Sequence, residues 1–144
     1  RSIIMPYRIL IMGLSGSGKT ALAKSLVDVL LEYKAVVRLN ADIVRETAND
    51  WDFSEEGRTR QAHRLKNIAD RSTSDIVVCD FIAPLPESRE IFNADYTIWM
   101  NTVKHSKYRD TDDVFNSPTN TNIIITRFDY NAKSIANSIL SVYN

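Results

Sequence analysis

The sequence is short of the residues that mark several large protein classes. It holds one cysteine, Cys79, in 144 residues, which excludes a disulfide framework and a cysteine-based zinc site. Its two histidines, His63 and His105, stand far apart and make no metal site of their own. Four glycines and four prolines leave little material for a long flexible linker. Lysine plus arginine and aspartate plus glutamate are equal at 18 each. The basic excess that marks a nucleic-acid binder is therefore missing, although a local basic patch stays open. No apolar run approaches the roughly 20 residues that span a bilayer, so no membrane partner is expected. The opening Arg1-Ser2-Ile3-Ile4-Met5-Pro6 is too brief, and too soon followed by Arg8, for a secretory leader. Met5 reads as a candidate start, with residues 1–4 foreign to the natural chain. The expected setting is the cytoplasm. There is no internal repeat and no low-complexity tract.

What is present is an ordinary globular balance, 44% apolar and 25% charged, in a chain sized for one domain, residues 1–144. Tyr7–Met12 is a short apolar run ended by Gly13, the signal of a buried strand. A helix is expected from about Lys19 to Glu32, where Leu22, Leu26, Val29 and Leu30 share one face. Ala35–Leu39 reads as a second strand and Asp42–Thr47 as a short helix. Ser54 followed by Glu55 and Glu56 starts a helix that runs to Arg71, with Leu65, Ile68 and Ala69 inward. Asp75–Asp80 is a third strand, and Pro84 and Pro86 precede a helix over Glu87–Phe92. Tyr96–Met100 and Ile123–Ile125 are the fourth and fifth strands. The segment 101–119, polar and poorly periodic, reads as a surface lid. Ala132–Val142 closes the chain as a helix with Ile135, Ile139 and Val142 on one face. Alternating strands and helices imply a parallel sheet covered on both faces. The expected fold is a three-layer α/β/α sandwich with a five-stranded parallel sheet and a cleft at the carboxyl ends of its strands.

Gly13-Leu14-Ser15-Gly16-Ser17-Gly18-Lys19-Thr20 fits G-x-x-x-x-G-K-[ST] between an apolar strand and an amphipathic helix, so the expected sandwich is a three-layer α/β/α P-loop NTPase fold with a five-stranded parallel sheet. Glycines let successive backbone N–H groups turn inward on phosphate oxygens, and the helix adds its positive end. Lys19 is placed for the β- and γ-phosphates of ATP, and the Thr20 hydroxyl for Mg2+. Asp80 ends an apolar strand and reads as a second Mg2+ ligand, direct or through water. A turn cap before Pro84 is its structural alternative. Asp42 follows the second strand, where it can act as a base or a metal-shell ligand; its alternative is a cap for the helix at Ile43. Thr126-Arg127-Phe128-Asp129 only loosely follows the guanine-reading [NT]-K-x-D, and Asp80-Phe81-Ile82-Ala83 lacks a switch glycine. A small-molecule kinase therefore fits better than a GTPase. Trp51 and Trp99 are expected to pack in the core or under the lid, and Cys79 to be a buried small hydrophobe.

Further motifs lie in one collinear order. Leu39-Asn40-Ala41-Asp42-Ile43-Val44-Arg45 resembles L-D-G-D-x-[VL]-R, and Asp52-Phe53-Ser54-Glu55-Glu56-Gly57-Arg58 resembles G-F-S-x-x-x-R. Phe81-Ile82-Ala83-Pro84 resembles F-I-S-P, with Arg89 following, and Asp112-Asp113-Val114-Phe115-Asn116-Ser117-Pro118 resembles D-D-P-Y-E-x-P. Together with the phosphate loop, these resemble the adenylyl-sulfate kinase family. That family transfers a phosphoryl group from MgATP to the 3′-hydroxyl of adenosine 5′-phosphosulfate.

The resemblance implies Lys19, Asp42 and Asp80 as catalytic residues and Thr20, Asp42 and Asp80 around the metal. It implies Gly13, Ser15, Gly16, Ser17, Gly18, Lys19 and Thr20 on the donor nucleotide. On the acceptor it implies Asp42, Arg45, Phe53, Arg58, Gln61, Phe81 and Ile82. Arg45 and Arg58 would hold the phosphosulfate, and Phe53 would stack on the adenine. As plain structure, the arginines would be helix-surface residues and Phe53 a hydrophobic staple before Ser54. The departures concern the acceptor: Asn40 for Asp, Ala41 for Gly, Asp52 for Gly, Gln61 for Asn, His63 for Arg, Ala83 for Ser, and a shorter lid. Lys104, Lys107 and Arg109 are candidate lid charges. The expected partner is a small-molecule nucleotide, with a homodimer left open. A P-loop kinase for another hydroxyl (nucleoside, modified nucleic-acid base or sugar) and a catalytically silent nucleotide-binding module are the alternatives.

Overall fold

Strand β1 spans Tyr7–Met12, and its Ile9–Met12 stretch is apolar on both faces because both are covered: these four residues are essentially inaccessible to solvent. In this computed structural model residues 5–143 are described, so the four residues read as foreign to the natural chain lie outside it. The order continues α1 (Lys19–Leu30), β2 (Val36–Asn40), α2 (Ala41–Ala48), α3 (Glu55–Arg71) and β3 (Ile76–Asp80). Then follow α4 (Pro86–Phe92), β4 (Tyr96–Met100), α5 (Arg109–Val114), β5 (Ile123–Ile125) and α6 (Ala132–Tyr143). The five strands are parallel in the order β2-β3-β1-β4-β5. Two apolar layers flank the sheet. Ile9 and Ile11 face α1 and α6, through Leu22, Leu26, Ile135 and Ile139. Leu10 and Met12 face the other side, with Leu65 and Ala69 of α3 and Phe92 of α4. This is the expected α/β/α sandwich, and among the described residues no helix is long and apolar enough to cross a membrane.

Local chemistry sets the helix ends. Ser54 accepts from the Gly57 N–H at 3.2 Å and starts α3. Asn40 accepts from the Ile43 N–H at 2.9 Å and starts α2, so the capping role considered for Asp42 belongs to Asn40. Asn49 and Asn93 end α2 and α4 in the left-handed conformation. Four expectations are corrected. Ile68 is exposed and leaves the inward face of α3 to Leu65 and Ala69, because Ile68 lies on the solvent side of that helix's stripe. Val142 is exposed in the last turn of α6, beyond the reach of the sheet. Trp51 is half-exposed rather than packed in the core. The lid segment contains a helix, α5, which a search for apolar periodicity misses because Thr111 is its only buried residue. Trp99 stacks on Phe115 with ring centroids 6.5 Å apart, as lid packing, and Cys79 is buried, its thiol pushed well up by burial.

Candidate active site

The carboxyl ends of β1, β2 and β3 lie side by side, with Ile11 opposite Asp80 and Asp80 opposite Asn40. They open into a cleft of about 950 Å³. Its floor is the phosphate loop. Gly13, at φ +152°, lets the loop pass the sheet: a Cβ there would lie 2.6 Å from the Met100 carbonyl oxygen and 2.8 Å from Ser17 Oγ. Gly18, at φ +94°, turns the chain into α1. Ser15, Gly16, Gly18, Lys19 and Thr20 line the cleft. Gly13 and Ser17 sit beneath it, fully buried, and shape the loop instead of facing the opening. Ser17 N–H donates to the Leu14 carbonyl at 3.1 Å, and its hydroxyl is buried with no hydrogen-bond partner.

Lys19 Nζ donates to the Leu14 carbonyl at 3.0 Å. Burial pulls its ammonium below the usual lysine range, and the Asp42 and Asp80 carboxylates act against that. A desolvated cation over a ring of backbone N–H groups is a strong phosphate site. Thr20 Oγ1 donates to Asp80 Oδ2 at 2.8 Å, and Asn40 Nδ2 donates to the same oxygen at 2.5 Å. Arg38 Nε lies 3.3 Å from Asp80 Oδ1. Asp80 is 3% exposed, so it is a fixed, buried carboxylate rather than a turn cap. Among the described residues no group of three or more His, Cys, Asp or Glu side chains could hold a metal. The oxygens of Thr20 and Asp80 nevertheless suit Mg2+, which takes one or two protein oxygens and completes its shell with phosphate oxygens and water.

Asp42 is exposed at the cleft edge in the first turn of α2. Arg45 and Arg58 line the cleft yet are only 5% and 7% exposed, so neither is a helix-surface arginine. Arg45 donates to the carbonyls of Asp50 and Asp52 at 2.9 and 3.2 Å. Arg58 donates to the Phe53 carbonyl at 2.8 Å and to Thr111 Oγ1 at 3.3 Å. No described carboxylate pairs with either within 4.0 Å, and burial lowers both guanidinium pKa values. Buried cations without a carboxylate are costly unless something anionic meets them. Phe53 is half-exposed beside them, with the Arg45 guanidinium 4.4 Å and that of Arg58 5.5 Å from its ring centre.

Phe81 and Ile82 line the same cleft beyond Asp80. Ala83, at φ +48°, carries the backbone around that corner, and Arg89 holds it by donating to the carbonyls of Ala83, Pro84 and Asn116. Gln61 does not reach the cleft. It is fully buried, donates to the Ala41 carbonyl at 2.7 Å, and accepts from Arg64 at 3.0 Å; its place is to brace α2 against α3. Of the lid charges, Lys107 and Arg109 face the cleft. Lys104 faces a separate recess of about 270 Å³ beside Leu14 and Trp99. Sequence reasoning gave no site role to several lining residues, among them Ala21, Trp51, Tyr108, Asp110 and Thr111; only the lid's position in the chain signalled the last three.

The family model for adenylylsulphate kinase matches residues 5–123. A cytidine diphosphoramidate kinase of Campylobacter jejuni is 38% identical over 65 residues, covering 44% of this chain and 38% of that protein. A probable adenylyl-sulfate kinase of Aeropyrum pernix is 36% identical over 84 residues, covering 55% and 45% respectively. The matched stretch is thus less than half the length of either curated relative. Among solved structures, the Mycobacterium tuberculosis APS kinase CysC in complex with AMPPNP and APS superposes with a TM-score of 0.71. It is 21% identical, covering 97% of this chain and 98% of that one. At that identity the likeness speaks for the fold.

Proposed function

The chain belongs to the adenylylsulphate kinase family, and from that premise we propose that residues 1–144 form one kinase domain. It moves the γ-phosphoryl group of MgATP to the 3′-hydroxyl of adenosine 5′-phosphosulfate, with 101–119 as the lid, in the cytoplasm where MgATP is at hand. The observation that carries the acceptor side is the pair of buried guanidiniums, Arg45 and Arg58, without carboxylate partners, beside a half-exposed Phe53. That wall suits a molecule with an anion and a flat base.

Phosphoryl transfer of this kind depends on positioning and charge stabilisation more than on covalent chemistry. The loop N–H groups and Lys19 hold the β- and γ-phosphates, Lys19 exchanging its Leu14 carbonyl for phosphate oxygens. Thr20 and Asp80 would hold Mg2+, which when bound would neutralise charge on the phosphate chain. Asp42 accepts the acceptor hydroxyl's hydrogen bond and aims its oxygen at phosphorus. Arg45 and Arg58 fix the acceptor anion, and Arg109 or Lys107 brings lid charge over the transferring group.

A second reading is that the hydroxyl belongs to a cytidine nucleotide. The named activity of the Campylobacter relative and the substitutions Asn40, Ala41, Asp52 and Ala83 around the acceptor wall favour it. The test is a turnover screen with labelled ATP against adenosine 5′-phosphosulfate, cytidine nucleotides and simple sugars. Transfer to adenosine 5′-phosphosulfate is expected. No transfer to it at millimolar concentration removes that substrate, and no transfer to any acceptor leaves a silent nucleotide-binding module.

A further inference from the structure

The loop between α2 and α3, residues 49–54, is unusually well braced for a surface segment. Asp50 Oδ2 accepts from Arg60 Nε at 3.1 Å and Arg64 at 2.9 Å, and Asp50 Oδ1 from the Asp52 N–H at 3.1 Å. Asp52 accepts from the Ser54 N–H at 2.9 Å and from Arg60 at 2.8 Å. Those arginines and hydrogen bonds hold both carboxyls below the usual range, Asp52 at about 2. From inside, Arg45 ties down the carbonyls of Asp50 and Asp52. From beneath, Gly57 allows the loop to lie flat on α3, because a Cβ there would collide with the Asp52 carbonyl oxygen.

What this brace presents is Trp51. The indole is 51% exposed, lines the cleft, and stands 6.5 Å from the Phe53 ring at a 45° tilt. Phe53 already carries the Arg45 guanidinium against its ring, whereas no cation is stacked on Trp51 among the described contacts. Exposing this much apolar surface does nothing for folding, and a rigid, open aromatic beside two unpaired cations is the pattern of a base-stacking platform.

Resting on the nucleotide-acceptor reading above, we infer that Trp51 is a specificity-determining residue that stacks on the acceptor's base, with Phe53 completing the platform and Arg45 and Arg58 taking the anion. The acceptor class is then narrowed to base-bearing anions; a sugar phosphate alone leaves the indole unused. The motif resemblance assigns Trp51 no role.

The test saturates the donor site of the full chain with a non-hydrolysable ATP analogue and titrates three probes by calorimetry: adenosine 5′-phosphosulfate, cytidine 5′-diphosphate and ribose 5-phosphate. Trp51→Ala and Trp51→Phe are compared with wild type, with melting curves as the folding control. Trp51→Ala is expected to weaken the preferred base-bearing probe at least ten-fold, to leave ribose 5-phosphate within two-fold, and to melt as wild type; Trp51→Phe restores most of the affinity. Base-bearing probes that bind Trp51→Ala as tightly as wild type overturn the inference and leave the nucleotide-acceptor reading standing. Equal losses for ribose 5-phosphate, or a failure of Trp51→Phe to rescue, make Trp51 a structural residue and overturn it too. A wild-type protein that gains nothing from a base on any probe sinks the nucleotide-acceptor reading itself.

Discussion

Replacing Arg58 by methionine separates binding from stability, because binding should fall while stability stays nearly unchanged. Arg58 is 7% exposed and donates to the Phe53 carbonyl at 2.8 Å and to Thr111 Oγ1 at 3.3 Å. Burial lowers its pKa, with only the more distant Asp110 acting against it; the folded chain therefore works to keep this cation desolvated. Methionine of similar reach loses two hydrogen bonds worth about 1 kcal/mol each. It also relieves a buried charge, a change that elsewhere is neutral or stabilising by about 1–4 kcal/mol. The sum lies near zero, so the melting temperature should move by no more than about 2–4 °C, roughly 1 kcal/mol for a domain of this size. The acceptor loses a charge-assisted hydrogen bond of about 1.5–3 kcal/mol, which is roughly a ten- to hundred-fold rise in Kd. The assay is thermal melting of the free protein plus calorimetric titration of adenosine 5′-phosphosulfate with the donor site saturated. A melting temperature down by more than about 6 °C, together with weaker ATP binding, would refute the reasoning: Arg58 would then be a structural strut between α3 and the lid. An unchanged acceptor Kd would refute it equally.

Lys19→Ala should leave the fold intact and lower turnover by about 10²–10³-fold, the usual cost of one donor aimed at developing charge; near-normal turnover in a folded variant ends the phosphate-loop assignment. Asp42→Asn should lower kcat while the Kd of a non-hydrolysable ATP analogue stays within two-fold, and circular dichroism should show α2 unharmed because Asn40 carries its cap. Gly13→Ala puts a methyl group 2.6 Å from the Met100 carbonyl and should destabilise by about 1–3 kcal/mol with loss of nucleotide binding; an unmoved melting curve contradicts the close approach. Asp52, with its carboxyl at about 2 against an ordinary 3.8, favours the fold when ionised. Its contribution is full above about pH 4 and disappears as the pH falls toward 2. Asp52→Asn should flatten that part of the melting-temperature profile, and identical acid limbs would show that the carboxylate contributes nothing.

The sheet and its helices were readable because each is a long statement of one rule. β1 is apolar without a break from Ile9 to Met12, and α3 carries a Ser cap, two acids and a leucine–alanine stripe. The elements that resisted reading are short or held by polar contacts. α5 spans six residues, and Asp112 closes its entry by accepting from Ser106 N–H at 2.9 Å and Ser106 Oγ at 2.6 Å; none of that has a period. Trp51 was assigned to packing because tryptophan is usually largely buried. Its exposure follows from four bracing side chains, Asp50, Asp52, Arg60 and Arg64, whose meeting depends on α3 folding back beside the loop. Gln61 carried the right motif position, but its helix turns it toward the Ala41 carbonyl and away from the opening.

The same contrast divides the site itself. The donor half is built largely from backbone: glycines that set the loop's φ values, N–H groups, and the end of α1, with the Lys19 and Thr20 side chains carried in the same motif. Any sequence that performs this geometry must repeat the glycines, so the half is legible as a motif. The half proposed for the acceptor is built from side chains on four separate segments: Arg45 on α2, Phe53 on the braced loop, Arg58 on α3 and Thr111 on the lid helix. The fourth segment can be shortened without touching β1, because Arg89 anchors its far end by donating to the Asn116 and Pro84 carbonyls. Each of these pieces can change alone while the phosphate loop stays as it is. Family membership therefore constrains the phosphoryl donor far more tightly than the acceptor, and experiments that vary the acceptor against a fixed donor carry the most information about this chain.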